Sequence, residues 1–347
     1  MAGIVKWGVV GCGGIARRRT IPEGITRARN ARLVAVWDVS EGATRDVAAQ
    51  FGATASGDIA ALLKEDIDAV YIASPPSVHR EQAIACAKAG KHVLCEKPLG
   101  MTVAEVEAMI AAFKKAGRTL GTAFMMRFHS QHQAALKIIR EGRLGKPVLG
   151  RAQLSCWYPP MAGAWRQDPT SGGGGSLIDM GGHCIDLLEM FFGNARRVSC
   201  FTNRSVHAYA SEDSAVATLF FENGAIGIVD AFFCVPDEAS QNRLELYGSL
   251  GSILATGTIG QGDRGTMVAC LKSEAGAYDA QQARSTTDTT SIAPEPMNMY
   301  QAEIEEFGAA ILEGRAPSNG AEPGLRSQQI LTACYESART CKAIDIG

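Results

Sequence analysis

The sequence predicts an α/β chain in two domains: a doubly wound parallel sheet over residues 1–125, then an α/β domain with a mostly antiparallel sheet over residues 126–347. Three observations predict it. The first 123 residues alternate short apolar runs with amphipathic segments. A glycine-rich turn, Gly11-Cys12-Gly13-Gly14-Ile15-Ala16, links the first run to a helical pattern. After about residue 125 the helical crossovers give way to strand alternation punctuated by hairpin signals. Strand–helix–strand repetition with short loops requires a parallel sheet covered on both faces. The length agrees, since domains of roughly 150 residues make this chain about two.

The elements follow in order. Val5–Val10, Arg32–Trp37, Ala69–Ala73, His92–Cys95 and Thr119–Ala123 are short apolar runs bounded by turn residues, as buried strands are. Between the last two, Val103, Val106, Ile110 and Phe113 share one face at helical spacing. A helix is expected at Gln131–Arg140, ending at Gly142, and Val148–Trp157 alternates like a strand with one wet face. Ala215–Phe221 and Ala225–Phe232 flank Glu222-Asn223-Gly224, whose Asn-Gly pair is a strong hairpin signal. Arg243–Tyr247 and Ser252–Ala255 add strands around Gly248 and Gly251. Residues 260–295, rich in Gly, Ser, Thr and Ala, read as a long loop, and two helices near 298–313 and 324–341 close the chain.

Composition excludes several classes of partner. Lys and Arg total 34 against 36 Asp and Glu, and a net charge of −2 leaves no clustered excess for a nucleic acid or an anionic membrane. At 46% hydrophobic and 20% charged, the chain resembles an ordinary globular protein with a sizeable core. No apolar run reaches the roughly 18 residues of a membrane span. The apolar stretch Ile4 to Ala16 precedes Arg17, Arg18 and Arg19, the reverse of an export signal. The ten cysteines have no Cys-x-x-Cys spacing. Reduced thiols in a cytoplasmic protein, with neither a disulfide framework nor a metal site, are expected.

The glycine-rich turn matches Gly-x-Gly-x-x-Ala in a strand–turn–helix context, where a pyrophosphate can rest on a helix N-terminus. Gly11, Cys12, Gly13, Gly14 and Ile15 would line a dinucleotide. Asp38 ends the second strand and suits a ribose with free hydroxyls, so NAD is expected; Arg17–Arg19 leave NADP open, unless they form a solvated helix face. Cys95-Glu96-Lys97-Pro98 sits at the C-terminal end of a strand, where open α/β sheets hold their ligands. Lys97 could exchange a proton with a substrate oxygen, or could be an exposed lysine in a turn. Asp179, His183 and Asp186 stand at i, i+4 and i+7, on one helix face. A histidine between two carboxylates suits a proton acceptor. The bland alternatives are a capping box at Ser176-x-x-Asp179 and a satisfied core histidine. Gly181 and Gly182 inside that helix are costly, at about 1 kcal/mol each, and point to a close backbone approach.

Taken together, the Gly-x-Gly-x-x-Ala start, Ala73-Ser74-Pro75-Pro76 with His79, Glu96-Lys97-Pro98, and the run from Gly173 through Asp179 and His183 to Asp186 resemble the glucose–fructose oxidoreductase/inositol dehydrogenase (Gfo/Idh/MocA) family. Its 1,5-anhydro-fructose reductase-like branch looks nearest. The resemblance spans the chain and implies a Rossmann domain, followed by an α/β domain whose open sheet supports a homodimer or homotetramer. It implies catalytic roles for Lys97, Asp179 and His183. It implies cofactor contacts from Ser74, Pro75, His79, Glu96 and Lys97, and a cis bond before Pro98. For substrate, it implies Arg127, Trp165 and Arg166 beside Asp179 and His183. Met126 stands where many members carry Asn, which removes one expected polar contact. Trp165 could instead plug a domain interface. Tyr158 is a further substrate candidate, and His129 and His207 read as structural or surface residues.

The implied activity is NAD(P)-dependent hydride transfer between nicotinamide C4 and a hydroxyl or carbonyl carbon of a sugar, anhydro-sugar or polyol. Two alternatives use the same motifs. One cleaves a glycoside through transient oxidation at sugar C3. The other is a sensor without catalysis, which has no chemical need for Lys97, Asp179 and His183 together.

Overall fold

A computed structural model describes residues 3–274, 276, 280 and 289–347. By contacts the chain forms two compact units. The first comprises Met1–Phe128, Gly163–Gly174 and Asn298–Thr332; the second comprises His129–Ala162, Gly175–Met297 and Ala333–Gly347. A single boundary after residue 125 therefore does not describe the packing, because two later segments rejoin the first unit.

The first unit is built on six parallel strands: β1 (Val5–Val10), β2 (Ala31–Trp37), β3 (Thr54–Ala55), β4 (Ala69–Ile72), β5 (His92–Glu96) and β6 (Leu120–Ala123). Their order, β3-β2-β1-β4-β5-β6, is that of a Rossmann sheet. Five strands match the apolar runs; β3, two exposed residues long, left no hydrophobic signal. All four residues of β4 and of β6 are buried, as strands covered on both faces require. The helix Val103–Ala116 starts at Thr102, whose side chain accepts from the Glu105 N–H, and stops at Gly117 with φ +60°. The helix Met299–Glu313 belongs here because it packs on the helical segment Cys12–Ile25. A Cβ at Gly24 would stand 3.1 Å from Ile304, and the Trp7 and Phe307 rings meet at 5.9 Å.

Among the described residues the second unit carries nine strands: β7 (Pro147–Ser155), β8 (Ala195–Asn203), β9 (Ser214–Phe221), β10 (Ile226–Phe232), β11 (Arg243–Gly248), β12 (Gly251–Thr256), β13 (Thr266–Leu271), β14 (Thr290–Ser291) and β15 (Ile344–Asp345). All pairings are antiparallel except β7 with β10. The predicted hairpin forms as β9–β10, and the two strands expected around Gly248 and Gly251 pair antiparallel as β11–β12. The expected loop over 260–295 instead contains β13 and β14, which extend the sheet from β12; some residues of that span lie outside those described. One sheet face packs on the helix Gly182–Phe192, and a Cβ at Gly150 would meet Phe192 at 2.7 Å. On the other face Phe201, Val216, Asp230 and Gln153 align across four strands, with Phe201 and Val216 exposed. Among the described residues the cysteines form no disulfide, and no described helix is long and apolar enough to cross a membrane.

Candidate active site

In the first unit the glycine-rich turn has the shape a dinucleotide needs. Gly11 has φ +78°, and a Cβ there would lie 2.5 Å from the Ser74 nitrogen, so only glycine fits. At Gly14 the helical path breaks (φ −94°, ψ −125°), and nothing lies within 4 Å of where a Cβ would be. The Asp38 carboxylate accepts from the Gly13 N–H at 2.8 Å and the Ser40 N–H at 3.0 Å, which sets it beside this turn. Open space at Gly14 and an acid at the end of β2 fit a dinucleotide with an unphosphorylated ribose. Cys12 is buried and its thiol is pushed up to about 11, chiefly by burial. The arginines divide: Arg17 lies 3.8 Å from Asp46, Arg19 pairs with Glu23 at 2.6 Å, and Arg18 is exposed.

A second group forms at the ends of β4 and β5. The Lys97–Pro98 bond is cis. Tyr71 donates its hydroxyl to Glu96 at 2.7 Å. Burial raises the Glu96 carboxyl, while Tyr71, Lys97 and Arg166 oppose that rise. His79 departs from its expected role. It is fully buried, with Nδ1 3.0 Å from the Pro98 carbonyl and Nε2 2.8 Å from the Ser74 carbonyl. With both ring nitrogens facing protein it braces the Ser74–Pro75 turn against the Lys97–Pro98 turn rather than touching a cofactor. Trp165 and Arg166 group with the first unit. The Arg166 guanidinium covers one face of the Trp165 ring at 4.1 Å, and the short helix Pro169–Gly172 packs on the turn Pro76–Val78. Arg127 is half-buried, in the turn Met125–Phe128.

In the second unit, Asp179 lies in the wide helical turn Leu177–Gly181, and His183 and Asp186 lie in the helix Gly182–Phe192 that continues it. Asp179 is 8% exposed, His183 7% and Asp186 3%. Buried ionisable groups at this spacing need one another or other polar partners. Gly181 permits a tight approach: a Cβ there would stand 3.0 Å from Leu177 and 3.7 Å from Val229 of β10. The capping box at Ser176 does not form, since Ser176 is already helical (φ −61°, ψ −34°) and its side chain makes no cap. The helix start is held by Glu212, whose carboxylate accepts from the Gly175 and Leu177 N–H groups at 2.9 and 3.0 Å. Local sequence could not reveal this, because 37 residues separate Gly175 from Glu212. Tyr158 is half-buried against Phe233, with ring centroids 4.9 Å apart, and accepts at its carbonyl from the Tyr209 hydroxyl. His129 and His207 are buried, His207 within reach of the Phe233 carbonyl at 3.0 Å, in keeping with structural roles.

A Rossmann unit with a dinucleotide cradle and a lysine at its strand ends, joined to a unit with a buried Asp/His/Asp helix, defines a nucleotide-dependent oxidoreductase of two-domain design. Residues 5–124 match the family described as an oxidoreductase family with an NAD-binding Rossmann fold, and residues 132–254 match the GFO/IDH/MocA C-terminal domain. The chain belongs to the Gfo/Idh/MocA oxidoreductase family. It is 29% identical to a 1,5-anhydro-D-fructose reductase of Ensifer adhaerens over 98% of both chains. It is 30% identical to a D-xylose 1-dehydrogenase (NADP(+)) of Haloferax volcanii, over 99% of this chain and 100% of that protein. The aldose-aldose oxidoreductase of Caulobacter crescentus, solved with glycerol, superposes with a TM-score of 0.87 at 27% identity, covering 99% of each chain.

Proposed function

We propose that this protein is an NAD-dependent oxidoreductase interconverting a hydroxyl and a carbonyl on a sugar, anhydro-sugar or polyol. One observation carries this: a buried His183 with Asp179 one turn before it and Asp186 three residues after it, in a chain whose other unit holds a dinucleotide cradle. The dinucleotide, when bound, supplies hydride transfer at nicotinamide C4. The chain's residues handle the proton. His183 takes it from the substrate hydroxyl oxygen, Asp179 orients the imidazole and balances its charge, and Lys97 is the further group proposed for proton handling. Gly11, Gly13, Gly14 and Ile15 receive the pyrophosphate through their backbone, Asp38 the ribose, and Ser74, Pro75 and Glu96 the nicotinamide side. Arg127, Tyr158, Trp165 and Arg166 are the candidates for holding the substrate's other hydroxyls and ring faces. The relatives named above act on sugars, which supports the substrate class. The open sheet face, with Phe201 and Val216 exposed, is the candidate contact for a homodimer or homotetramer.

A panel of aldoses, anhydro-sugars and polyols, assayed at 340 nm with NAD and with NADP, tests the proposal. Reduction of the dinucleotide by at least one compound, faster with NAD, is expected. A glycoside cleaved with no net absorbance change, or binding of dinucleotide with no turnover of any compound, would contradict it.

A further inference from the structure

The helix that bears Asp179 and His183 begins where the chain offers nothing to hold it. Gly172, Gly173, Gly174 and Gly175 precede it without side chains, and Ser176 makes no cap. The first N–H groups of a helix need acceptors, and here one distant residue supplies them. The Glu212 carboxylate accepts from Gly175 at 2.9 Å and Leu177 at 3.0 Å, and its carbonyl accepts from Ser176 at 3.1 Å. Three consecutive backbone donors thus end on one residue, and the Leu177 donor stands two residues before Asp179. A Cβ at Gly175 would collide with the Glu212 carbonyl, so the glycine there is a condition of the contact.

Glu212 is itself fixed from both sides. The Tyr335 hydroxyl donates to the same carboxylate oxygen at 2.9 Å. The next residue, Asp213, is fully buried and accepts from the N–H groups of Ser205, Val206 and His207 at 2.7, 2.7 and 2.8 Å. An anionic carboxylate at a helix N-terminus also faces the positive end of the helix dipole.

We propose that Glu212 is a positioning residue for the proton acceptor, fixing the first turn of the helix and through it the placement of Asp179 and His183. The inference rests on the function proposed above for that pair. Burial raises the Glu212 carboxyl, with the Leu177, Tyr335 and Gly175 donors among the opposing influences. What the geometry shows the helix taking from it is an acceptor oxygen in that place. Glu212→Gln keeps such an oxygen and Glu212→Ala does not.

The experiment compares both variants, Tyr335→Phe and His183→Asn with the parent enzyme. Rates are normalised to sites counted by NAD binding. A displacement on the order of 1 Å at reacting groups can lower turnover about a hundredfold. For Glu212→Ala we expect kcat per site down by about thirtyfold or more, with the KM for NAD within about twofold of the parent. Glu212→Gln should return to within about fivefold, and Tyr335→Phe should lose about threefold to fivefold. If Glu212→Ala does not fold, the losses in Glu212→Gln and Tyr335→Phe decide the question: both at parental kcat would overturn the proposal. A folded Glu212→Ala with parental kcat per site, or one whose whole loss lies in the number of binding sites, would overturn it as well. His183→Asn separates the two levels. Its collapse beside an unaffected Glu212→Ala would reject positioning by Glu212 and leave the proposed function standing.

Discussion

At the scale of single residues, Asp38 is the proposed determinant of cofactor choice. Its carboxylate already accepts from the Gly13 and Ser40 N–H groups, so it is oriented before any ligand arrives. Asp38→Ser removes a ribose acceptor and the repulsion of a 2′-phosphate. The ratio of kcat/KM for NAD to that for NADP should fall by about tenfold or more, on the scale of one charge-assisted hydrogen bond. An unchanged ratio would mean that Asp38 serves only the fold of the turn. Residues of this kind were legible in the sequence because their requirement is local. Gly11 needs a positive φ, and the motif's spacing announces it. His79 was not legible in its actual role, since its two carbonyl partners lie 5 and 19 residues away. Glu212 was invisible for the same reason.

At the scale of elements, the brace made by His79 has a consequence for stability against pH. Burial depresses the His79 imidazole below its ordinary value, more than its backbone contacts at Ser74, Pro98 and Leu99 raise it. The unfolded chain therefore binds a proton that the folded chain resists. The stabilisation is full above the ordinary imidazole value near 6.5 and is lost as pH falls from there through the depressed value of the folded state. Urea unfolding at pH 7.5 and at pH 5.5 should show lower stability in acid. His79→Gln should lose about 1–2 kcal/mol at pH 7.5, the scale of a buried hydrogen bond, yet fall less on acidification. Part of the slope will persist, because burial also holds His92 and His129 low. An identical slope in parent and variant would assign the effect to those two. Among elements, buried parallel strands were easy to foresee from continuous apolar runs. The strands β3, β14 and β15, two residues each, were not, since strands so short bury too little to leave a pattern, and β13 was hidden in a span whose Gly, Ser and Thr content reads as a loop.

At the scale of the whole molecule, the proposed function places cofactor and proton chemistry in different parts of one chain. The sequence motifs mark the residues proposed for both. They did not mark the chain's returns to the first unit at Gly163–Gly174 and Asn298–Thr332, which depend on packing such as Trp7 on Phe307 and Gly24 beside Ile304. The central claim is that His183 accepts the proton released when a hydroxyl is oxidised. The most direct test is the pH dependence of kcat/KM for oxidation, in the parent and in His183→Asn, with NAD affinity measured alongside. The parent should show an acid-side limb that reports deprotonation of the acceptor. In His183→Asn that limb should vanish and the rate should fall about a hundredfold, with NAD affinity within several-fold of the parent. A His183→Asn enzyme that keeps the same acid limb would show that the proton goes elsewhere and that His183 is structural.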